Sequence, residues 1–349
     1  MSDSPTIVLD LAGADLGEEE LLRGVKLASC DGNGGCNLVL VSNSKERTAE
    51  FADKIIGKSS GGFSLEFVNA SHRLPDRIES PVQVYKEHPD STINVGLRRI
   101  AGITNAAFIS AGNTGLVMTS ALFILKRIQG ISRPPIASPL PTLGRTCFFL
   151  DAGSNVDCRP QHLYEFGVIG SVYAEKVWGR EKPTVGLLSN GSEDYKGSVL
   201  VKETHALLKA DPSINYIGYR EGNTVFDGDL DILVCDGFIG NIILKFAEGL
   251  AGAITRLLKN EIIKRPLAGI SAKLFMGAAF RALKKRVDYS EYGGAPLLGL
   301  NGNVVICHGR SDAVAIKNAI REALKLAKTG CSARIEEAFR AKSTLQAQA

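Results

Sequence analysis

Short runs rich in apolar and β-branched residues recur along the chain, and most are followed by a stretch with helical spacing. The clearest runs are Thr6 to Leu9, Asn37 to Val41, Ala106 to Ile109, Thr146 to Leu150, Thr184 to Leu188, Ile232 to Val234 and Val304 to Ile306. Helical patterns follow at Glu18 to Ala28, Gly115 to Lys126, Leu163 to Trp178, Val199 to Lys209, Asn241 to Leu258 and Asp312 to Lys328. Strand then helix, repeated, predicts a layered α/β fold: a mostly parallel sheet with flanking helices. No 20-to-50-residue period repeats, so a solenoid is not expected.

A chain of 349 residues exceeds what one core usually organises. We expect a first α/β subdomain from residues 1–105 plus 300–340 and a second from 106–299, with a frayed tail at 341–349. Four prolines, Pro134, Pro135, Pro139 and Pro141, break regular structure at a crossover, and Gly57, Gly61 and Gly62 lie in an expected surface loop. Hydrophobic residues at 44% with charged ones at 22% exclude a disordered chain. No apolar run reaches the roughly 18 residues that span a bilayer, and the start lacks a signal peptide, so a cytoplasmic protein is expected. The seven cysteines are scattered without a C-x-x-C pair, which suits neither a disulfide framework nor a zinc site.

The net charge of +4 is too mild for a nucleic-acid binder, yet it is unevenly placed. Between Thr255 and Val287 stand nine Lys or Arg against one acid, a net of +8 that leaves the remainder at −4. Apolar residues recur there at helical spacing, predicting a protruding basic helical hairpin over 255–290. Lys273, Arg281, Lys284, Lys285 and Arg286 are its candidate contacts to an anionic partner, whether protein or lipid surface. A dimer-interface or core helix with a solvated basic face is the alternative.

Chemistry is expected at the carboxyl ends of the parallel strands, where helix N-termini offer unpaired N–H groups to anions. The turn Ser110-Ala111-Gly112-Asn113-Thr114-Gly115 lies between a strand and a helix, and can ligate phosphate or serve only as an N-cap. The loop Asp151 to Cys158 carries Asp151, Asn155 and Asp157, polar groups for substrate that also simply favour turns. Cys158 and Cys235 are expected as small buried hydrophobes. Lys196 follows two acids on the loop Asn190 to Gly197, by default a solvated lysine. Asp236-Gly237-Phe238-Ile239-Gly240-Asn241 repeats the strand–turn–helix plan, and a late strand ends at Cys307-His308-Gly309. The cluster Asp227, Asp229 and Asp231 lacks the spacing of a calcium loop. Neither G-x-G-x-x-G, the P-loop pattern nor G-x-S-x-G occurs.

Taken in order, these segments resemble the PlsX family of phosphate acyltransferases, across nearly the whole chain. The landmarks are Ser110 to Gly115, Leu150 to Cys158, Asp231 to Asn241 and Gly294-Ala295-Pro296-Leu297-Leu298-Gly299. Departures are Asp10-Leu11-Ala12-Gly13-Ala14-Asp15, which lacks the family's Met and one Gly, and Ser189 to Asp194, which replaces Asn-Ile-Gly-Glu-Glu-Glu. The resemblance implies acyl transfer from acyl carrier protein to inorganic phosphate, feeding a membrane glycerol-3-phosphate acyltransferase in phospholipid synthesis. It further implies an isocitrate/isopropylmalate-dehydrogenase-like fold, a homodimer peripheral to the membrane, and no cofactor, metal or nucleic acid. On this reading Ser110, Gly112, Asn113, Thr114, Gly115, Gly240 and Asn241 hold phosphate, Asp151 and Asp236 make other substrate contacts, and Asn155, Lys196 and His308 serve the thioester. A β-decarboxylating dehydrogenase would need a clear metal cluster and adenine site, and a membrane-surface scaffold would need no catalysis. An acetyl- or butyryl-CoA phosphotransferase differs in its carrier.

Overall fold

A computed structural model describes residues 4–31, 35–57, 62–75, 77–264 and 291–348. The expected strands are present as β1 (Thr6–Asp10), β2 (Cys36–Ser42), β4 (Ala106–Ser110), β6 (Cys147–Leu150), β7 (Thr184–Leu188), β9 (Ile232–Val234) and β11 (Asn303–Ile306). Four more are β3 (Phe63–Asn69), β5 (Ser138–Leu140), β8 (Asn215–Arg220) and β10 (Ala295–Leu297). The helices are α1 (Glu18–Cys30), α2 (Lys45–Ile55), α3 (Pro81–Glu87), α4 (Thr92–Ile100), α5 (Thr114–Ile124), α6 (Pro160–Trp178), α7 (Val199–Ala210), α8 (Gly237–Lys264), α9 (Ala313–Thr329) and α10 (Cys331–Gln348).

The strands form a six-stranded sheet, β10-β11-β4-β1-β2-β3, and a five-stranded one, β5-β6-β9-β7-β8. Every pairing is parallel except β10 with β11 and β5 with β6. Those two inner edges meet: Ile136 bridges Leu297, Ala137 N–H donates to Pro296 at 2.9 Å and Leu298 N–H donates to Pro135 at 3.0 Å. Strand residues alternate between two apolar layers that both run across the seam. Ile7, Leu9, Ala107, Ile109, Phe148, Leu150, Ile232 and Val234 face one layer with α1, α6 and α9. Val8, Phe108, Phe149 and Leu233 face the other with α4 and α5.

Three expectations change. β4 and β10 fall inside the span 106–299 assigned to a second unit, but both pair within the six-stranded sheet, β4 between β1 and β11. The tail beyond Ser343 continues as helix to Gln348, and this last helix is anchored where the Lys342 ammonium meets Asp211 and the Ser213 hydroxyl. α8 starts at Gly237, and Gly237 to Ile262, interrupted only by scattered charges such as Lys245 and Glu248, is long and apolar enough to cross a bilayer by length and composition. The basic hairpin's named residues, Lys273, Arg281, Lys284, Lys285 and Arg286, lie outside the described residues.

Close packing of helix on sheet depends on Gly96, where an added Cβ would fall 2.3 Å from the Phe108 ring. Gly96→Ala should therefore cost about 1–3 kcal/mol through overpacking. A urea-unfolding midpoint equal to that of the parent chain would show that α4 can lift freely off β4.

Candidate active site

At the carboxyl edge of the six-stranded sheet, β1 ends on the buried Asp10. The Asp10 carboxylate accepts the Ser110 hydroxyl at 2.7 Å and the Ala12 N–H at 3.0 Å. The Gly112 N–H in turn donates to Ser110 Oγ at 3.0 Å. A Cβ on Gly13 would come within 2.5 Å of the Gly112 Cα, so the loop after β1 lies directly on the turn after β4. Ser110 thus spends its proton inside the protein and shapes the turn, while Asn113 and Thr114 stand exposed. Asn113 Oδ1 caps α5 by accepting the Leu116 N–H at 3.0 Å, which leaves its amide N–H₂ to face outward. Gly115 follows, with Pro81 beside it. On the neighbouring strand end, His308 Nδ1 accepts the Arg310 N–H at 3.1 Å, so the neutral ring carries its proton on Nε2. Gly309 lies against Asp15, whose N–H donates to its carbonyl at 2.8 Å.

At the carboxyl edge of the five-stranded sheet, after a cis Leu150-Asp151 peptide, the buried Asp151 plays the same part more fully. One oxygen accepts the N–H groups of Ile136, Gly153 and Ser154 and the Ser154 hydroxyl, at 2.9, 3.2, 3.1 and 2.6 Å. The other accepts the Asn155 N–H at 2.5 Å and the Asn155 amide at 2.9 Å. The Asn155 amide also donates to Pro134 O at 3.0 Å, so both its hydrogens point into the protein. The first turn of α8 locks onto this loop. Gly237 N–H donates to Asn155 O at 2.8 Å, and a Cβ on Gly240 would fall 1.9 Å from Asp151 O. Asp236 accepts the Ile239 N–H at 2.9 Å as a helix cap. Asn241 is exposed over Gly153, and its side chain makes no hydrogen bond among the described residues.

Lys196, half-buried, lies on the loop after β7, two strands along from β6. Its stem crosses Gly191, where a Cβ would meet Lys196 Cγ at 2.8 Å, and Gly197 N–H closes the loop on Asn190 Oδ1 at 2.9 Å. Asp10, Ser110, Asn113 and His308 are therefore gathered on one edge, and Asp151, Asn155, Lys196, Asp236 and Asn241 on the other sheet's edge. No hydrogen bond among the described residues joins the turn at 110–115 to that at 236–241. The cysteines beside the two strand edges, Cys158, Cys235 and Cys307, are poor nucleophiles. Burial, then the Asp151 charge, pushes the Cys158 thiol up to about 12; burial raises Cys307 to about 12 and Cys235 well above its ordinary value. Among the described residues no group of three His, Cys, Asp or Glu side chains is placed to hold a metal ion. Asp10 and Asp15 were not singled out as site residues by sequence; their signal is the strand-end position of the Asp-x-x-x-x-Asp segment.

The chain matches a family described as fatty acid synthesis protein over residues 6–334. It is 43% identical over 318 residues to a phosphate acyltransferase of Pelotomaculum thermopropionicum, covering 91% of this chain and 90% of that one. It is 39% identical over 342 residues to a phosphate acyltransferase of Geobacter sulfurreducens, covering 98% and 96%. In shape it is similar to the EutD phosphotransacetylase of Staphylococcus aureus, with TM-score 0.60, 16% identity and coverage of 94% and 95%. A branched-chain phosphotransacylase of Enterococcus faecalis superposes with TM-score 0.55 at 15% identity over 93% and 99%. At such identity the likeness is one of fold.

Burial raises the Asp10 carboxyl above its ordinary value, against the lowering by Ser110, Ala12 and Thr92. The folded state thus holds this proton more tightly than the unfolded chain, whose Asp titrates near ~3.9. Stability from Asp10 is full below that pH and is lost as pH rises through the folded value. Urea unfolding across pH 4 to 8 should show Asp10→Asn gaining on the parent chain as pH rises. A constant difference would contradict the assignment.

Proposed function

This chain belongs to the PlsX family of fatty acid synthesis proteins, and on that footing we propose that it transfers a long acyl group from the thioester of acyl carrier protein to inorganic phosphate. The observation that carries this reading is the identity, over nine-tenths of the chain, to relatives named phosphate acyltransferase. A phosphate oxygen attacks the thioester carbonyl, the C–S bond breaks, and acyl phosphate and the carrier thiol are released. The proton of hydrogen phosphate balances the thiolate, which leaves readily since thiols titrate near ~8.5. Because phosphate is the nucleophile, the protein has to hold two substrates and stabilise an oxyanion, without an activated Ser or Cys. The raised thiols fit that scheme.

Asn113, Thr114 and Asn241 are the proposed phosphate contacts, with Ser110, Gly112, Gly115 and Gly240 shaping the turns that present them. Lys196 and the His308 Nε2–H are the proposed donors to the oxyanion or the leaving sulfur, while Asn155, its protons held by Asp151 and Pro134, shapes the loop beside them. Asp151 and Asp236 act through the loops they hold. Asn113→Ala and Asn241→Ala should raise the KM for phosphate more than that for the acyl donor. Lys196→Ala and His308→Ala should lower kcat by about 10² to 10³. Phosphate KM unchanged in both Asn variants, with kcat within about threefold in the others, would leave these residues structural. Comparing acyl carrier protein with short acyl-CoA as donor separates this activity from a CoA phosphotransacylase.

The outward face of α8 supports a homodimer. Phe238, Ile242, Phe246, Leu250 and Ile254 recur every fourth residue and are 58, 51, 69, 48 and 56% exposed, an apolar ridge that another surface should cover. A second copy is the proposed cover. The basic segment beyond it is the proposed contact to carrier protein or to the cytoplasmic membrane face, where a membrane glycerol-3-phosphate acyltransferase would consume the product. Phe246→Glu with Ile254→Glu should halve the mass seen by light scattering, and a mass that stays put would place the dimer contact elsewhere.

A further inference from the structure

Residues 132–136 run beside the Asp151 loop and are tied down on both sides of Arg133. Ser132 donates its N–H and its hydroxyl to the buried Glu165 at 2.8 and 2.9 Å. Pro134 O accepts the Asn155 amide at 3.0 Å, with the Ser154 hydroxyl oxygen 3.1 Å away. The backbone of Arg133 is thereby held, yet its side chain is exposed and makes no ion pair with any described residue. Arg159, at the N-cap of α6, is likewise exposed and without an ion pair among the described residues, although Asp157 is two positions away.

His162 stands in the first turn of α6 and is nine-tenths buried at 9% exposure. Its Nδ1 accepts the Arg159 N–H at 3.2 Å, which puts the proton of the neutral ring on Nε2. Burial, and then the charges of Arg133 and Arg159, hold the ring below its ordinary pKa and so keep it neutral. Its Nε2–H has no partner among the described residues. The charge of Arg133 also reaches the Cys158 thiol, where Asp151 and Asp236 oppose it. Two unpaired guanidinium groups, the solvent-accessible N–H of a mostly buried imidazole and the positive end of a 19-residue helix therefore lie beside the candidate active site. Arginine forks suit phosphoryl oxygens in particular.

We infer that Arg133, Arg159 and His162 form a second oxyanion site, separate from the glycine turns, that holds the phosphodiester in the prosthetic arm of the thioester donor. The inference rests on the acyl-carrier reading above. Asn155 and Arg159 are four residues apart, at most about 14 Å of chain, so an arm anchored by its phosphodiester at Arg159 can lay its thioester over Asn155 and Asn241. A free phosphate bound at the arginines would instead sit away from the glycine turns.

The test uses Arg133→Ala/Arg159→Ala and Arg133→Lys in the full chain, with three probes: acyl carrier thioester, carrier bearing the free arm, and carrier lacking the arm. The double variant should raise the KM for the acyl carrier at least about tenfold, the size of one lost charge-assisted hydrogen bond. It should leave the phosphate KM within about twofold, and Arg133→Lys should lose less. Binding of the arm-bearing carrier should weaken in parallel, while binding of the armless carrier stays unchanged. Equal weakening for both carriers would mean that the arginines meet acidic protein surface, and a raised phosphate KM would mean an acceptor site. Either result, or no change in any arm, overturns the inference. Absence of acyl phosphate from the parent chain with every donor would instead overturn the proposed activity, while the two carrier-binding curves still judge the site.

Discussion

Six donors converge on the two oxygens of Asp151, a carboxylate with no solvent exposure. A buried charge is tolerated only when its lone pairs are met, and here they are met by the backbone of the loop that follows it and of the segment that passes it. Much of the candidate site depends on that arrangement. It fixes Asn155, draws residues 132–136 alongside, and leaves only enough room for glycine at Gly237 and Gly240, so that α8 starts against the loop. Removing the carboxylate would strand buried donors, at about 1–3 kcal/mol each by the usual cost of an unmet group.

Asp10 performs a smaller version of the same work in the other sheet, and the likeness extends further. Each sheet ends at the seam in a short antiparallel strand with proline at its centre, Pro139 in β5 and Pro296 in β10. A central strand would lose a ladder bond to that residue; an edge strand need not. In both sheets the strand-end acid and its hydroxyl or amide neighbours are consumed in building the loop. The groups left to meet a ligand are the next ones out: Asn113 and Thr114 on one edge, and Asn241 and Lys196 on the other.

The strands legible in the sequence are the buried central ones, whose runs such as Thr184–Leu188 are almost wholly apolar. β3 and β8 escape because they lie at the outer edges and alternate with exposed polar positions, and β5 and β10 because a proline disguises three residues of strand. The loops that carry chemistry were visible by composition and place. The roles within them were not: Ser110 and Asn155 look like ligand groups until their protons are traced to Asp10, Asp151 and Pro134. Arg133 was hidden by the prolines after it, since a break in regular structure says nothing about what its neighbour faces. Gly240 was noticed for the turn it allows, whereas the structure requires it for close approach to a carbonyl.

The central claim is direct transfer to phosphate, with the protein contributing position and charge but no covalent bond. Mixing the chain with stoichiometric acyl carrier thioester, with and without phosphate, and following both the intact mass of the chain and the free carrier thiol tests it most directly. The account predicts no acyl adduct in either mixture, and thiol release only with phosphate, in step with acyl phosphate. An acylated chain, or a burst of thiol in the absence of phosphate, would contradict it.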